Sequence, residues 1–274
     1  MAQALRKEEL TGAEEPDISH IITEDDTPVD NIFSEKQQRL LTESLSISWN
    51  PGRPFLALAN VGLFYGLHEP PLVPDMMLSL DVRPADDIWK KRNRTYFVWE
   101  FGKPPEVAVE IVSNRVGGET VEKVQKYAQA GVRYYVIFDP QRLILRESSL
   151  RIYELSPAGI YIPKLDRRLA DAGLGVKLWK GSFDGIYADW LRWTDPDGNL
   201  IPTGSEHVRK EHMRAEMERR RAEIERIRAE QEQKRAEQEQ KRAETAEQSV
   251  SEERRRAERL AEKLRALGID PDGV

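Results

Sequence analysis

The sequence predicts an α/β protein in which a mixed β-sheet is flanked by helices and followed by one long, charged helix. Three observations lead to this fold class. Several segments between residues 36 and 203 alternate apolar and polar residues with period two, which is typical of strands. A segment between two of them, 119–131, has Val and Ala at helical spacing. A seven-residue repeat without Gly or Pro fills 205–267 and predicts a continuous helix.

Charge and aromatic residues divide the 274-residue chain into three segments. Residues 1–35 have a net charge of −8 and predict an acidic, disordered arm that either aids solubility or shields a basic groove. Residues 36–203 have a net charge of +2 and contain all six Trp and all eight Tyr, so we expect the core there. Residues 204–274 balance 18 basic against 18 acidic residues. The overall charge of −6 therefore does not argue against a nucleic-acid partner for the central domain.

Composition excludes several classes of site. The chain has no Cys and only four His, none spaced as a metal-binding pair. This rules out a disulfide scaffold, a thiolate nucleophile and Cys-based zinc sites, and leaves oxygen-ligated Mg²⁺ or Mn²⁺ as the suitable metal. No apolar run approaches the roughly 20 residues of a membrane span, and the first ten residues lack a signal-peptide core. We therefore expect a cytoplasmic protein with no membrane association.

The predicted strands follow in chain order. Residues 55–67 favour a strand over a buried helix because of two glycines, and strands are expected at 76–82, 107–112 and 133–138. Two more, 150–155 and 159–164, are separated by Ser-Pro-Ala-Gly and predict a hairpin. The helix predicted within 119–131 begins after Gly117-Gly118 and ends at Gly131, a C-terminal cap. A strand, helix, strand order predicts that the strands at 107–112 and 133–138 are parallel neighbours.

The C-terminal segment repeats Arg-Ala-Glu every seven residues from Arg214. If Ala215 and its equivalents occupy heptad position a, position d holds Glu218, Glu225, Glu232 and Glu239, and becomes apolar at the far end with Leu260 and Leu267. Ala against Glu buries little, so a solvated helix and a weak or partner-dependent coiled coil both remain open.

Two carboxylates in the central segment have unusual positions. Asp75 follows Pro74 where the chain enters a predicted strand, and Glu110 lies within an apolar strand. A buried, unpaired Glu costs several kcal/mol, so Glu110 needs a cation or a hydrogen-bond network. Two carboxylates that meet at strand ends are ligands suited to Mg²⁺. The simpler alternatives are a turn residue for Asp75 and a structural hydrogen bond for Glu110.

The order of these motifs resembles a known family. Pro74-Asp75 is followed by E-x-x-S from Glu110, by K-x-x-x-Y-A-x-A-G-V from Lys123, and by Y-Y-V-I-F-D-P, which ends at Pro140. This arrangement looks like the bacterial family named "putative restriction endonuclease", within the PD-(D/E)XK nuclease superfamily. The resemblance is close from Pro74 to Pro140 and looser over 36–203. It implies a restriction-endonuclease-like fold and a metal-dependent endonuclease.

The resemblance also implies residue roles. Asp75 and Glu110 would bind the metal, Mg²⁺ or Mn²⁺. The lysine of the superfamily usually lies two residues after the second acid, where this chain has Val112, and the matching lysine here is Lys123 on the following helix. Its ammonium would orient water or offset phosphate charge. Glu119 matches a further acidic position of the family.

Two basic features have competing interpretations. Lys126 is the alternative to Lys123 if the helix is rotated, and both lysines have acidic residues four positions earlier, so either could form an ordinary surface ion pair. A basic and aromatic cluster at 89–96 would suit a nucleic-acid backbone, or is a solvated loop; its cations are Lys90, Lys91, Arg92 and Arg94. Asp139, before Pro140, is expected to cap a turn.

The sequence therefore supports two functions. The first is a Mg²⁺-dependent endonuclease that hydrolyses DNA, with Asp75, Glu110 and Lys123 as its site. The second is an inactive nuclease-fold scaffold that recruits partners through its C-terminal helix, which Val112 favours. A homodimer or a protein partner through the 204–267 helix is compatible with both.

Overall fold

We describe a computed structural model of the chain that covers residues 31–113 and 121–266. The helices are α1 (Ile32–Ser48), α2 (Val98–Phe101), α3 (Glu122–Gln129) and α4 (Gly204–Ala266). The strands are β1 (Phe55–Leu58), β2 (Leu63–Phe64), β3 (Met76–Leu80), β4 (Tyr96–Phe97), β5 (Val107–Ile111), β6 (Tyr134–Phe138), β7 (Leu150–Leu155), β8 (Tyr161–Lys164), β9 (Arg168–Leu169), β10 (Leu174–Phe183) and β11 (Ile186–Thr194). The predicted Gly117-Gly118 turn, Glu119, residues 1–30 of the acidic arm and the tail from residue 267 lie outside the described residues.

The main sheet has six strands in the order β1-β3-β5-β6-β7-β8. Strands β5 and β6 are parallel and joined through α3, which confirms the predicted crossover, and every other neighbouring pair is antiparallel. Strands β7 and β8 form the predicted hairpin. The mixed α/β class is therefore confirmed. The segment 55–67 forms two short strands, β1 and β2, in different sheets rather than one continuous strand.

Alternating side chains of the central strands form two apolar layers. Val107, Val109 and Ile111 pack in a cluster with Leu41 and Leu45 of α1 and with side chains of β10 and β11. Ala108 and Val112 face the other way, into a cluster that contains Tyr127 of α3 and Tyr135 of β6. Glu110 lies between Ala108 and Val112 in the sequence, so the strand alternation turns it toward the α3 side.

Helix α1 and the β10–β11 hairpin are the largest elements of the first unit that were not expected from the sequence. Helix α1 begins at Ile32 with Asn31 as its N-cap, so the last four residues of the predicted acidic arm are helical. Strands β10 and β11 form a long antiparallel hairpin around Asp184-Gly185, both with positive φ (48° and 81°). A two-residue Asp-Gly turn with this backbone is a common hairpin connection.

Helix α4 extends for 63 residues. The chain divides into two compact units between His207 and Val208, so the first turn of α4 belongs to the first unit. Residues 205–266 contain no glycine or proline, which explains why the helix continues without a break. Among the described residues, we find no helix with the length and apolarity required to cross a membrane.

Candidate active site

Asp75 and Glu110 lie side by side on neighbouring strands. Strand β3 pairs antiparallel with β5, with Met76 opposite Val109, and the same register continued by one residue places Asp75 opposite Glu110. Residues directly opposite each other project to the same side of a sheet, with Cβ atoms about 4.5–5.5 Å apart. Glu110 faces α3, since Val109 packs in the α1-side cluster. Asp75, just before β3, lies near enough for its charge to raise the pKa of Glu110.

Helix α3 adds two side chains to Glu110. Lys123 Nζ donates to Glu110 Oε2 at 2.8 Å, and the Tyr127 hydroxyl donates to Oε1 at 2.6 Å. Lys123 and Tyr127 are four residues apart and therefore lie on one face of the helix. Tyr127 is fully buried, whereas the side chain of Lys123 is 31% exposed, so the site opens at the lysine end.

The two other lysine positions considered from the sequence lie elsewhere. Val112 is buried in the apolar cluster below α3, where an ammonium group would lose its hydration. Lys126 pairs with Glu122 of the same helix at 2.6 Å rather than with Glu110. The structure thus brings together Asp75, Glu110 and Lys123, the three residues that the family resemblance implied.

Asp75 is held by groups that the sequence did not point out. Its Oδ1 accepts a hydrogen bond from Gln38 Nε2 of α1 at 2.8 Å, and its Oδ2 accepts one from the backbone N–H of Ile111 at 2.6 Å. Gln38 also exchanges amide hydrogen bonds with Asn60. Gln38 lies three residues before Leu41 and seven before Leu45, on the buried side of α1, and a polar residue on that face was the available signal.

The carboxyl group of Glu110 has a pKa well above that of an ordinary glutamate. The pKa of Glu110 is raised from 4.5 to about 7: burial is the largest cause and the charge of Asp75 adds to it, while Lys123 and Tyr127 act in the opposite direction. The pKa of Tyr127 is also raised, by burial first and then by the charge of Glu110. A carboxylate that remains costly to ionise despite a lysine and a tyrosine is typical of functional sites.

The donor set fits a hard divalent cation. Asp75 and Glu110 offer carboxylate oxygens, and each oxygen of an ionised carboxylate can accept more than one interaction. The described ranges contain no cluster of three or more His, Asp or Glu suited to a metal, so water or substrate oxygens would complete the coordination. Mg²⁺ is commonly bound in this way, through one or two carboxylates. A cation would also offset the repulsion between Asp75 and Glu110.

The remaining sequence candidates have separate roles. Asp139 is fully buried and accepts three hydrogen bonds from backbone N–H groups, those of Leu143, Ile144 and Leu145. It therefore caps a turn, as predicted. The basic cluster forms an exposed loop with one turn of 3₁₀-helix at Lys91–Asn93, and Trp89 beside it is 79% exposed.

Comparison with protein families matches residues 13–171 to the Uma2 family, described as "Putative restriction endonuclease". The match covers more than half of the chain and includes Asp75, Glu110 and Lys123. No curated protein matches the chain.

Among solved structures, the chain is similar to a protein from Anabaena variabilis described as "a putative nuclease belonging to DUF820". The two are 17% identical, with a TM-score of 0.33. The similarity covers 46% of this chain and 65% of the other, so less than two thirds of that protein's length is matched.

Proposed function

The chain belongs to the Uma2 family, and on this basis we propose that it is a Mg²⁺-dependent endonuclease that hydrolyses phosphodiester bonds of DNA. Mn²⁺ would serve in place of Mg²⁺, since both prefer oxygen ligands. Asp75 and Glu110 would bind the metal, and Lys123 would act on the substrate.

One observation carries the proposal. A buried carboxylate, Glu110, has a second carboxylate on the opposite strand and a lysine at 2.8 Å on the open side. Stability alone does not call for two neighbouring acids, because each raises the cost of ionising the other. A site for a divalent cation and a phosphate accounts for both the acids and the lysine.

Hydrogen bonds from neighbouring residues fix the position of each carboxylate in the proposed site. Gln38 and the Ile111 N–H fix the carboxylate of Asp75, and Tyr127 fixes that of Glu110. The Lys123 ammonium would offset charge on the scissile phosphate or orient the attacking water. A bound Mg²⁺ would supply Lewis-acid polarisation of the phosphate and lower the pKa of a water.

The decisive experiment is cleavage of plasmid DNA by the full chain with Mg²⁺ or Mn²⁺. Glu110→Gln, Asp75→Asn and Lys123→Met should each lower the rate by at least about 100-fold, the scale observed for groups that stabilise a transition state. Lys126→Met is the matched control, because it removes a lysine from the same helix that pairs with Glu122 instead. Cleavage by Glu110→Gln at the wild-type rate would contradict the proposal.

A scaffold function has one specific observation in its favour. Both oxygens of Glu110 already have partners in Lys123 and Tyr127, so the cluster is also compatible with a structural role. Thermal unfolding with and without Mg²⁺ separates the two functions through ligand linkage. The nuclease proposal predicts stabilisation that is lost in Asp75→Asn. A wild-type chain that neither gains stability from Mg²⁺ nor cleaves DNA would support the scaffold.

A further inference from the structure

Helix α4 presents a stripe of large apolar side chains to solvent. Met213, Met217, Ile224 and Ile227 are each between 44% and 57% exposed. Their separations of four, seven and three residues place them along one side of the helix. A highly charged helix gains nothing from exposing four such side chains along one side, on which Arg220 is the polar exception, so the stripe indicates a covered face.

These side chains define a heptad frame different from the one suggested by the Ala residues of the repeat. With Met217 and Ile224 at position a, Met213 and Ile227 fall at position d. The Ala residues of the repeat, from Ala215 onward, then occupy the outward position f. The d position between Met213 and Ile227 is Arg220, and beyond Ile227 the a and d positions are polar, beginning with Gln231 and Lys234. The apolar seam is therefore short and interrupted once.

The positions that flank the seam are uniform in charge. Every g position from residue 216 to 244 is Glu, namely Glu216, Glu223, Glu230, Glu237 and Glu244. Every e position from residue 214 to 242 is Arg, namely Arg214, Arg221, Arg228, Arg235 and Arg242. One side of the seam is therefore acidic and the other basic over five heptads.

Most of these arginines have no ion pair within their own helix. Arg214 contacts Glu218, but in the described part of the chain Arg221, Arg228, Arg235 and Arg242 form no ion pair. Some of the g-position acids do pair along the helix, as Glu216 does with Arg220. Such exposed pairs contribute little, so exchanging them for contacts with a second helix costs little.

We propose that residues 213–244 of α4 form a parallel, in-register, two-stranded coiled coil with a second copy of this chain. In a parallel pair, each g residue meets the e residue five positions later on the partner, so four acids, from Glu216 to Glu237, each meet an arginine. An antiparallel pair would place Glu beside Glu and Arg beside Arg. The second copy is the occupant because its e and g positions carry the charges that these g and e positions require, over four heptads. The inference is independent of the nuclease proposal.

Cysteine crosslinking tests orientation and register, since the natural chain has no Cys. Met217→Cys and Gln238→Cys are made separately in the full chain and treated with oxidised glutathione, which accepts the two electrons when two thiols join. Both variants should form disulfide-linked dimers. An antiparallel pair can bring at most one of these positions against itself. Ala222→Cys, at outward position f, is the control and should crosslink at least tenfold less.

Charge exchange tests the complementarity. One variant changes Glu216, Glu223, Glu230 and Glu237 to Arg, and the other changes Arg221, Arg228, Arg235 and Arg242 to Glu. Sedimentation equilibrium should show that each alone dimerises at least tenfold more weakly than the natural chain, and that an equimolar mixture forms heterodimers. The matched control changes four acids at outward position b, Glu218, Glu225, Glu232 and Glu239, to Arg and should still dimerise.

Three outcomes would overturn the proposal. They are a natural chain that sediments as a monomer at tens of micromolar, crosslinking at only one of the two cysteine positions, and a mixture of charge variants that remains monomeric. Circular dichroism of every variant shows whether α4 is still helical. Recovery of the dimer in the mixture excludes loss of helix as the reason for dissociation.

Discussion

At the scale of single residues, Glu110 has the largest consequence for stability. It is buried near the end of β5, and its pKa is raised from 4.5 to about 7, chiefly by burial. Between pH 4.5 and about 7, the carboxyl group of Glu110 in the metal-free protein is therefore protonated in the folded state and ionised in the unfolded state. A raised folded-state pKa stabilises the protein below about 4.5, and that contribution is lost as the pH rises through about 7.

This shift predicts a pH-dependent difference between the natural chain and Glu110→Gln. Without metal, the free energy of unfolding of the natural chain should fall relative to Glu110→Gln by roughly 3 kcal/mol between pH 4.5 and 8, since one pKa unit corresponds to about 1.4 kcal/mol. Urea unfolding in the presence of a chelator measures it. A constant difference across this range would contradict an elevated pKa at Glu110.

Tyr127 acts on the same carboxylate through its hydroxyl group. Tyr127→Phe keeps the ring but removes a hydrogen bond that lowers the pKa of Glu110. We expect a loss of about 1–2 kcal/mol at pH 8, where Glu110 is ionised, and a smaller loss at pH 5. Tyr161→Phe is the control, because its hydroxyl bonds the carbonyl of Val132, which does not titrate, and the cost should be equal at both pH values.

The sequence reveals the charged members of the site better than their supports. Asp75, Glu110 and Lys123 have recognisable spacing, and the β3–β5 register with one turn of α3 brings them together. Gln38 is far from them in the chain and follows no motif. Its role depends on how α1 docks on the sheet, which is a tertiary property that local periodicity does not contain.

At the scale of secondary-structure elements, α1 is attached to β11 by a buried amide. Gln37 donates from Nε2 to the carbonyl of Leu191 at 2.8 Å and accepts from the N–H of Leu191 at 2.9 Å. Strand β11 is at the edge of its sheet, so this side chain satisfies backbone groups that lack a neighbouring strand. The side chain of Gln37 thus supplies two hydrogen bonds that a neighbouring strand would otherwise make with β11.

Replacing Gln37 therefore tests how α1 docks. Gln37→Met preserves length and apolar packing but leaves two buried backbone groups without partners, which should cost about 2–4 kcal/mol. Urea unfolding of the metal-free chain measures the change. Gln38→Met, at the next residue, is the comparison, because it removes the hydrogen bond to the half-buried Asp75. It should lower the free energy of unfolding less than Gln37→Met does, and lower the rate of DNA cleavage more. If Gln37→Met and Gln38→Met lower the free energy of unfolding equally, the hydrogen bonds to Leu191 do not determine how firmly α1 docks.

The elements that were predictable are those with both a strong period and a clear boundary. The β5–α3–β6 crossover has alternating strands and a left-handed Gly131 (φ 78°) at the helix end. The β10–β11 hairpin was missed although Asp184-Gly185 is a common hairpin turn, because its outer half is largely exposed and its apolar pattern is weak. Helix α1 was missed because Gln37 and Gln38 interrupt its apolar face.

At the scale of the whole molecule, the first unit includes the start of α4, where an ion pair attaches Glu206 to Arg192 of β11. Arg192 is 2% exposed and makes a bidentate contact with Glu206, at 3.0 and 2.5 Å. Glu206 and Thr203 also form a capping box, since the N–H of each bonds the side chain of the other. The composition change at residue 204 therefore comes before the structural boundary, which follows His207.

Two truncations that differ by four residues test this boundary. A chain ending at His207 keeps Glu206 beside Arg192, whereas one ending at Thr203 leaves the buried guanidinium without its carboxylate. Because Glu206 is partly exposed, we expect the shorter chain to be less stable by about 1–3 kcal/mol, below the cost of breaking a fully buried pair.

The apolar clusters end at Ile201, so 1–207 should unfold cooperatively at nearly the temperature of the full chain. Calorimetry of the three chains measures both effects, with Glu206→Gln in 1–207 as the control that retains the residues but removes the charge. If 1–203 and 1–207 unfold at the same temperature, Glu206 is not part of the first unit's stability and the boundary lies at residue 203.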